Sequence, residues 1–316
     1  MNDMRVSVLI CTRNRGDSLV GTLTSILANS TPEFELVVLD QSETDSTEEA
    51  VRGLGSDPRL RYVRSETKGL GAAHNAGITE ARGEIILITD DDCDVPVDWV
   101  SRLTSVFDEF PGAGMAFCRV EPCEYDPAAG HIPVFLCEAE REINGLRDLR
   151  IGIGAGMAIT RTAFDKAGGF DTATGPGGAF PSGEEADMAY RLLTRGFSII
   201  STDRTHVTHR GFRTWGELTI HTERDVTGSG AVFAKLTRHG NWRFGLDAAR
   251  TVARWQWESM RNLARLRRPH GLRRSAWLLK GFRHGWTAPV DTSTLRFALT
   301  AEQSERYRRM FVQRDV

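Results

Sequence analysis

The sequence predicts an α/β fold: a mostly parallel sheet flanked by helices, followed by a C-terminal helical extension. Three observations carry that expectation. Short apolar runs of strand length recur through the first 120 residues, separated by segments with apolar residues at helical spacing. Acidic residues follow two of these runs directly, at the strand ends where sheets of this class bind ligands. Charge is also uneven: a net −2 comprises +11 over 235–286 and +1 over 287–316, leaving −14 for 1–234. The 316 residues, 40% hydrophobic, suffice for one large domain and an appendage.

Taken in order, Val6 to Cys11 reads as a buried strand, and Leu19, Leu23, Ile26 and Leu27 share one face of the helix after it. Phe34 to Leu39 is the second strand, ending at Asp40. Ser46 and Glu49 have capping-box spacing and should open the second helix. A short strand over 61–64 precedes a Gly/Ala-rich helix over 71–81. Glu84 to Thr89 runs straight into three aspartates. Trp99, Leu103, Val106, Phe107 and Phe110 mark a further helix, and Gly114 to Val120 a further strand. Strands alternating with helices imply right-handed crossovers and parallel pairing.

Several classes are disfavoured. Cys11, Cys93, Cys118, Cys123 and Cys137 show no CxxC pairing, which speaks against a zinc site or disulfide framework and for a reducing compartment. The glycines from Gly69 to Gly77 are spaced G-x-G-x₅-G, unlike a dinucleotide fingerprint, and there is no GxxxxGK[ST], GxSxG or HExxH. No charged-then-apolar leader opens the sequence and no stretch reaches the ~18 apolar residues that span a bilayer. These features predict a cytoplasmic protein and leave open a peripheral contact with the inner face of the membrane.

Chemistry concentrates at three places. Asp90-Asp91-Asp92 follows an apolar strand; adjacent carboxylates repel and call for a cation or donors. Alternate members of an extended triplet point the same way, so Asp90 and Asp92 can share a divalent metal; an acidic loop capping the next helix is the competing reading. Glu184-Glu185-x-Asp187 opens a helix whose apolar face is Ala189, Leu192 and Leu193, with Gly196 as C-cap. Glu185 suits a general base, or merely completes a capping box with Ser182; Asp187 and Arg191 have i,i+4 spacing. His209 is a metal ligand or a structural histidine.

In order, Val6 to Asn14, Val37 to Ser42, His74 to Gly77 and Gly83 to Asp92 resemble the successive nucleotide-site motifs of family 2 glycosyltransferases. Gly154 to Ile159, Gly168 to Asp171, Glu184-Glu185-x-Asp187 and Val207-Thr-His209 continue the resemblance over roughly residues 4–212. It implies a GT-A (Rossmann-like) fold, a divalent metal (Mn²⁺ or Mg²⁺), a nucleotide-sugar donor and inversion at the anomeric carbon. It assigns Asp92 and His209 to the metal and Glu185 to catalysis. Thr12, Arg13, Asn14, Asp40, Gln41, Asn75, Asp90 and Asp91 go to donor binding, and Glu184 and Asp187 to acceptor-side support. Two positions depart from the family pattern: the base is Glu185 rather than Asp, and Gln41 stands where a second Asp is usual.

The expected organisation is a catalytic domain over 1–212, with a nucleotide-binding half to about 120 and an acceptor half from 121, then a basic helical extension over 213–316. Acceptor pockets are expected around 121–150 and 175–182. The expected activity is transfer of a sugar, from a UDP-sugar first of all, to a hydroxyl in a cell-surface glycan or glycolipid. A sugar nucleotidyltransferase and a non-catalytic nucleotide-sugar or glycan-binding module are the alternatives. The aromatic, arginine-rich tail is read as helices packed on the catalytic domain or as a contact with anionic membrane; it matches no nucleic-acid-binding module.

Overall fold

A computed structural model of the protein describes residues 4–31, 33–145, 151–265 and 270–311. Contacts divide the chain into two compact units. One comprises residues 1–68, 72–170 and 188–215; the other comprises 69–71, 171–187 and 216–316. The second unit thus draws two short segments from within the span that the sequence reading assigned to a single catalytic domain.

In the first unit the expected elements appear in order. Strand β1 (Val6–Thr12) leads to α1 (Gly16–Leu27), β2 (Glu35–Asp40) to α2 (Ser46–Gly53), and β3 (Leu60–Arg64) precedes α3 (Leu70–Glu80). β4 (Ile85–Thr89), β5 (Cys93–Asp94), α4 (Trp99–Glu109) and β6 (Ala113–Pro122) follow. Then come β7 (Gly130–His131), β8 (Arg141–Ile143), β9 (Met157–Thr160), α5 (Arg161–Ala167), α6 (Glu184–Leu193, of which only 188–193 fall in this unit), β10 (Ser198–His209) and β11 (Arg213–Thr214). β2 and β4 are buried at every position because helices cover both faces of a parallel sheet, which explains runs with no polar alternation.

The described residues form a nine-stranded sheet in the order β3-β2-β1-β4-β9-β6-β10-β5, with β8 also paired to β10. β3, β2, β1 and β4 are parallel neighbours. β9 runs antiparallel to both β4 and β6, and β6 pairs parallel with β10, so six strands share one direction. Leu19, Leu23 and Ile26 of α1 and Trp99, Leu103 and Val106 of α4 are buried in the core beneath this sheet.

One local reading needs correction. The helix after β2 is capped by Asp45, whose carbonyl accepts from the Glu49 amide (2.9 Å), and the Ser46 hydroxyl pairs with Thr44 instead of closing a capping box. β10 runs from Ser198 to His209 through a register shift between Thr202 and His206. Gly196 does terminate α6: at φ 84° its amide bonds the Leu193 carbonyl while Phe197 reaches back to Leu192, the paired bonds of a Schellman motif.

The second unit is mainly helical, as expected of the tail: α7 (Leu218–His239), α8 (Arg243–Ala264), α9 (His270–Thr287) and α10 (Ala301–Phe311), with a hairpin of β12 (Val290–Asp291) and β13 (Arg296–Phe297). α7 and α9 approach through glycine: a Cβ on Gly281 or Gly230 would overlap a backbone carbonyl oxygen of the facing helix, Thr227 or Leu278 respectively. Phe180 anchors an aromatic cluster with Phe297, Tyr307 and Phe311 at centroid distances of 4.6, 5.2 and 5.8 Å. None of the described helices is long and apolar enough to cross a membrane.

Candidate active site

β4 is an apolar strand in mid-sheet, so its carboxyl end delivers Asp90 to Asp92 to one rim of the sheet. β1 ends beside it, and the Thr12 hydroxyl donates to Asp91 Oδ2 at 2.6 Å. From the following turn, Arg15 reaches Asp91 Oδ1 at 2.9 Å and Asp92 Oδ2 at 2.6 Å. β10 brings His209 to the same rim by pairing with Cys93 in antiparallel register. Its Nε2 lies 3.3 Å from Asp92 Oδ1, and the Asp92 carbonyl accepts from the Arg210 amide at 2.9 Å. Ligand atoms of Asp90, Asp92, Cys93 and His209 all lie within 4.8 Å of one another. Asp90 and Asp92 join this group while Asp91 accepts from Thr12 and pairs with Arg15, and the backbone at 91–92 is a turn, not the extended triplet the sequence suggested.

Burial would raise the Asp92 carboxyl, but the His209 imidazole beside it and the Arg15 guanidinium pull it down to about 2. Burial would lower His209, and the neighbouring Asp92 and Asp90 carboxylates raise it instead. Asp91 goes the other way: burial dominates and pushes it up despite Thr12 and Arg15. Around one rim, three carboxyl groups are therefore balanced by a guanidinium and an imidazole.

These residues suit a hard divalent cation. Asp92 Oδ1 is buried and receives no hydrogen bond of good geometry. His209 Nδ1 faces the Pro133 carbonyl oxygen at 3.2 Å; a carbonyl only accepts, so Nδ1 carries a proton and Nε2 is the atom left for a metal. Burial holds the Cys93 thiol protonated, which leaves Asp90, Asp92 and His209 as the donor set. Two carboxylates and an imidazole fit Mn²⁺ or Mg²⁺ with positions left for phosphate oxygens.

Beside the rim lies a cleft of about 530 Å³ lined by residues that include Arg13, Gln41, Glu43, Arg64, Thr67 and Lys68. The Gln41 amide donates to Thr67 Oγ1 at 2.8 Å, and Arg13 pairs with Glu43 at 2.6 Å. Asp40 lies beneath this lining, fully buried: it accepts from the Ser42 amide (2.8 Å), the Ser42 hydroxyl and Tyr62 (2.7 Å). Ser42 in turn accepts from the amide of Asn14, which holds a left-handed φ of 57°. Asp40 thus shapes the turn that presents Arg13 and Asn14. Both amide atoms of Asn75 are engaged by the Phe170 backbone, at 2.7 and 3.0 Å.

Glu184, Glu185 and Asp187 belong to the second unit. Gly183, at φ 95°, supplies the carbonyl that accepts from the Asp187 amide (2.9 Å), so it takes the cap position read for Ser182. Glu185 is half-buried in the first turn of α6, whereas Glu184 and Asp187 are buried. Asp187 Oδ1 lies 2.6 Å from Lys235 Nζ, which is also 2.6 Å from Asp171 Oδ2 and stands over the Phe297 ring at 4.5 Å. Further along α6, the buried Arg191 guanidinium donates to the carbonyls of Ala167 and Gly169. Arg15 and Lys235 escape the sequence reading. The one signal for Lys235 is a lysine embedded in the apolar stretch Ala231 to Leu236; Arg15 stands in an ordinary basic turn. Residues 146–150 of the expected acceptor region and 266–269 of the basic tail lie outside the described residues.

The sheet order, with an acidic rim at its strand ends, is that of the GT-A fold. The chain belongs to glycosyl transferase family 2, whose family model matches residues 7–168. A glucosyl-dolichyl phosphate glucuronosyltransferase from Haloferax volcanii is 24% identical over 220 residues, 66% of this chain and 70% of that protein. The succinoglycan biosynthesis protein ExoO of Rhizobium meliloti is 34% identical over 99 residues, 31% of this chain and 28% of that protein. Among solved structures, a mannosyltransferase from Pyrobaculum calidifontis in complex with GDP-Man and Mn²⁺ shares the fold at TM-score 0.60 and 20% identity, covering 90% of this chain and 87% of that one. S. aureus TarS (residues 1–349) with UDP-GlcNAc matches at TM-score 0.55 and 18% identity, over 74% and 67%.

Proposed function

We propose that this chain is an inverting, metal-dependent transferase that moves a sugar from a nucleoside-diphosphate donor, a UDP-sugar first of all, to an acceptor hydroxyl. The observation that carries the reading is the convergence of Asp90, Asp92 and His209 on one rim beside a 530 Å³ cleft. Asp90, Asp92 and His209 would hold a divalent ion, which would supply positive charge to stabilise the leaving diphosphate. Arg13, Gln41, Thr67 and Lys68 offer donors to the nucleoside and phosphates. Arg15, paired with Asp91 and Asp92, is placed to orient those carboxylates. Glu185 is the base: it accepts the proton of the acceptor hydroxyl as that oxygen attacks the anomeric carbon, and a single displacement inverts configuration. Glu184 and Asp187 support the acceptor side.

The solved neighbours were captured with GDP-Man and with UDP-GlcNAc, and the Haloferax volcanii relative is named a glucosyl-dolichyl phosphate glucuronosyltransferase. These names support a nucleotide-sugar donor and a glycan or lipid-linked acceptor in cell-surface glycan or glycolipid synthesis. The test is a panel of UDP- and GDP-sugars with and without Mn²⁺, scored for nucleoside diphosphate release. Asp92→Asn should abolish Mn²⁺-dependent release. Glu185→Gln should lower turnover by about 10²–10⁴-fold while donor affinity stays within a few-fold. Release of sugar phosphate would favour pyrophosphate chemistry instead, and full turnover in Glu185→Gln would reduce that residue to a structural role.

A further inference from the structure

α8 has two contrasting sides. Phe244, Ala248 and Ser259 are buried, and Gly271 of α9 packs against the Trp255 carbonyl and Ser259 Oγ. Directly opposite runs an apolar stripe open to solvent: Trp242, Leu246, Ala249, Ala253, Trp257, Met260 and Ala264. The steps along it are four, three, four, four, three and four residues, so it stays on one face for the whole 22-residue helix. Its large members are unusually bare, with Trp242 at 65%, Trp257 at 60% and Met260 at 55% exposure. Arg243, Arg250, Arg254 and Arg261 each directly follow a stripe residue, which sets an arginine row along one flank, and all four are exposed.

We infer that this face of α8 is a docking surface for an anionic lipid bilayer, on which the helix lies parallel to the membrane plane. Charge decides the occupant. Residues 235–286 carry a net +11, so a second copy seated on this face would bring two strongly basic segments together, whereas an anionic surface attracts them. A solvent-facing row of tryptophan, methionine and leucine flanked by arginine matches an interfacial helix: the apolar groups enter the acyl boundary while the guanidinium groups extend to the headgroups. The inference is independent of the transferase reading, because no residue of α8 is assigned to donor, metal or acceptor.

The test uses the full chain and vesicles of phosphatidylcholine, with and without phosphatidylglycerol. Sedimentation should show binding to the anionic vesicles that weakens as salt is raised, with little binding to phosphatidylcholine alone. Bromine-labelled acyl chains should quench tryptophan fluorescence. The triple variant Trp242→Ser, Trp257→Ser, Met260→Ser should lose roughly tenfold or more of the binding and most of the quenching. It should also keep the wild-type circular dichroism and the wild-type rate of nucleoside diphosphate release. Equal binding to both vesicle types, undiminished binding by the triple variant, or a dimer that the triple variant dissolves would each overturn the inference. A wild-type chain that binds vesicles but turns over no nucleotide sugar would sink the transferase reading alone.

Discussion

Replacing Lys235 with methionine is the sharpest probe of how the second unit is held together. The Lys235 ammonium lies 2.6 Å from both Asp171 Oδ2 and Asp187 Oδ1, and all three side chains are essentially sealed from water. Asp171 also accepts from the Ala173 and Phe297 amides at 3.0 and 2.8 Å, so its carboxylate cannot swing away to solvent without breaking the loop and the β13 strand. Methionine fills much of the space of the lysine stem but leaves two carboxylates facing each other with no cation between them. Removing one partner of a buried charge cluster typically costs about 3–5 kcal/mol. At a urea dependence of roughly 2 kcal/mol per molar, that lowers the unfolding midpoint by about 2 M. The double variant Lys235→Met, Asp187→Asn should recover part of the loss, because the penalty is an uncompensated charge rather than a missing contact. Equilibrium urea titrations followed by circular dichroism read both quantities. A loss below about 1 kcal/mol in the single variant, or no recovery in the double, would refute the reasoning.

Two further outcomes follow from burial and close packing. His74 is buried against Phe170, and burial pushes its imidazole from 6.5 down to about 4. Between those values the unfolded chain binds the extra proton, so this stabilisation is complete above about pH 6.5 and is lost as pH falls towards 4. Its size is on the order of 3 kcal/mol, and His74→Leu should flatten stability against pH within that window; an unchanged slope would show that His74 does not set it. Gly281→Ala ought to favour helix by about 1 kcal/mol, yet its methyl would overlap the Thr227 carbonyl oxygen of α7. Thermal unfolding should therefore show net destabilisation of about 1–3 kcal/mol, and a stabilised variant would mean that α7 and α9 are not tightly apposed.

The residue order was sufficient wherever short-range pattern reflects local physics. Continuous apolar runs mark β1, β2 and β4 because both faces of a parallel sheet are covered, and 3.6-residue spacing marks α1 and α4. Asp90 to Asp92 advertise a charge problem that some cation or donor must solve, whatever the rest of the fold. Other features depended on which distant residues meet. β9 runs against its neighbours and is only four residues long, too short to reveal its direction. Asp40 stands at a strand end like Asp92, yet three hydrogen bonds to Ser42 and Tyr62 seal it beneath the cleft while Asp92 meets His209. The partners of Lys235 lie 64 and 48 residues away in sequence, and the apolar stretch around the lysine says nothing of which carboxylates it meets. The same holds for α8: periodicity reveals that tryptophan, leucine and methionine share a face, but only packing against α9 decides that this face is the one turned to solvent. Local sequence sets what a segment is able to become, and the burial of one surface against another, tens of residues away, selects which of its groups are left to act.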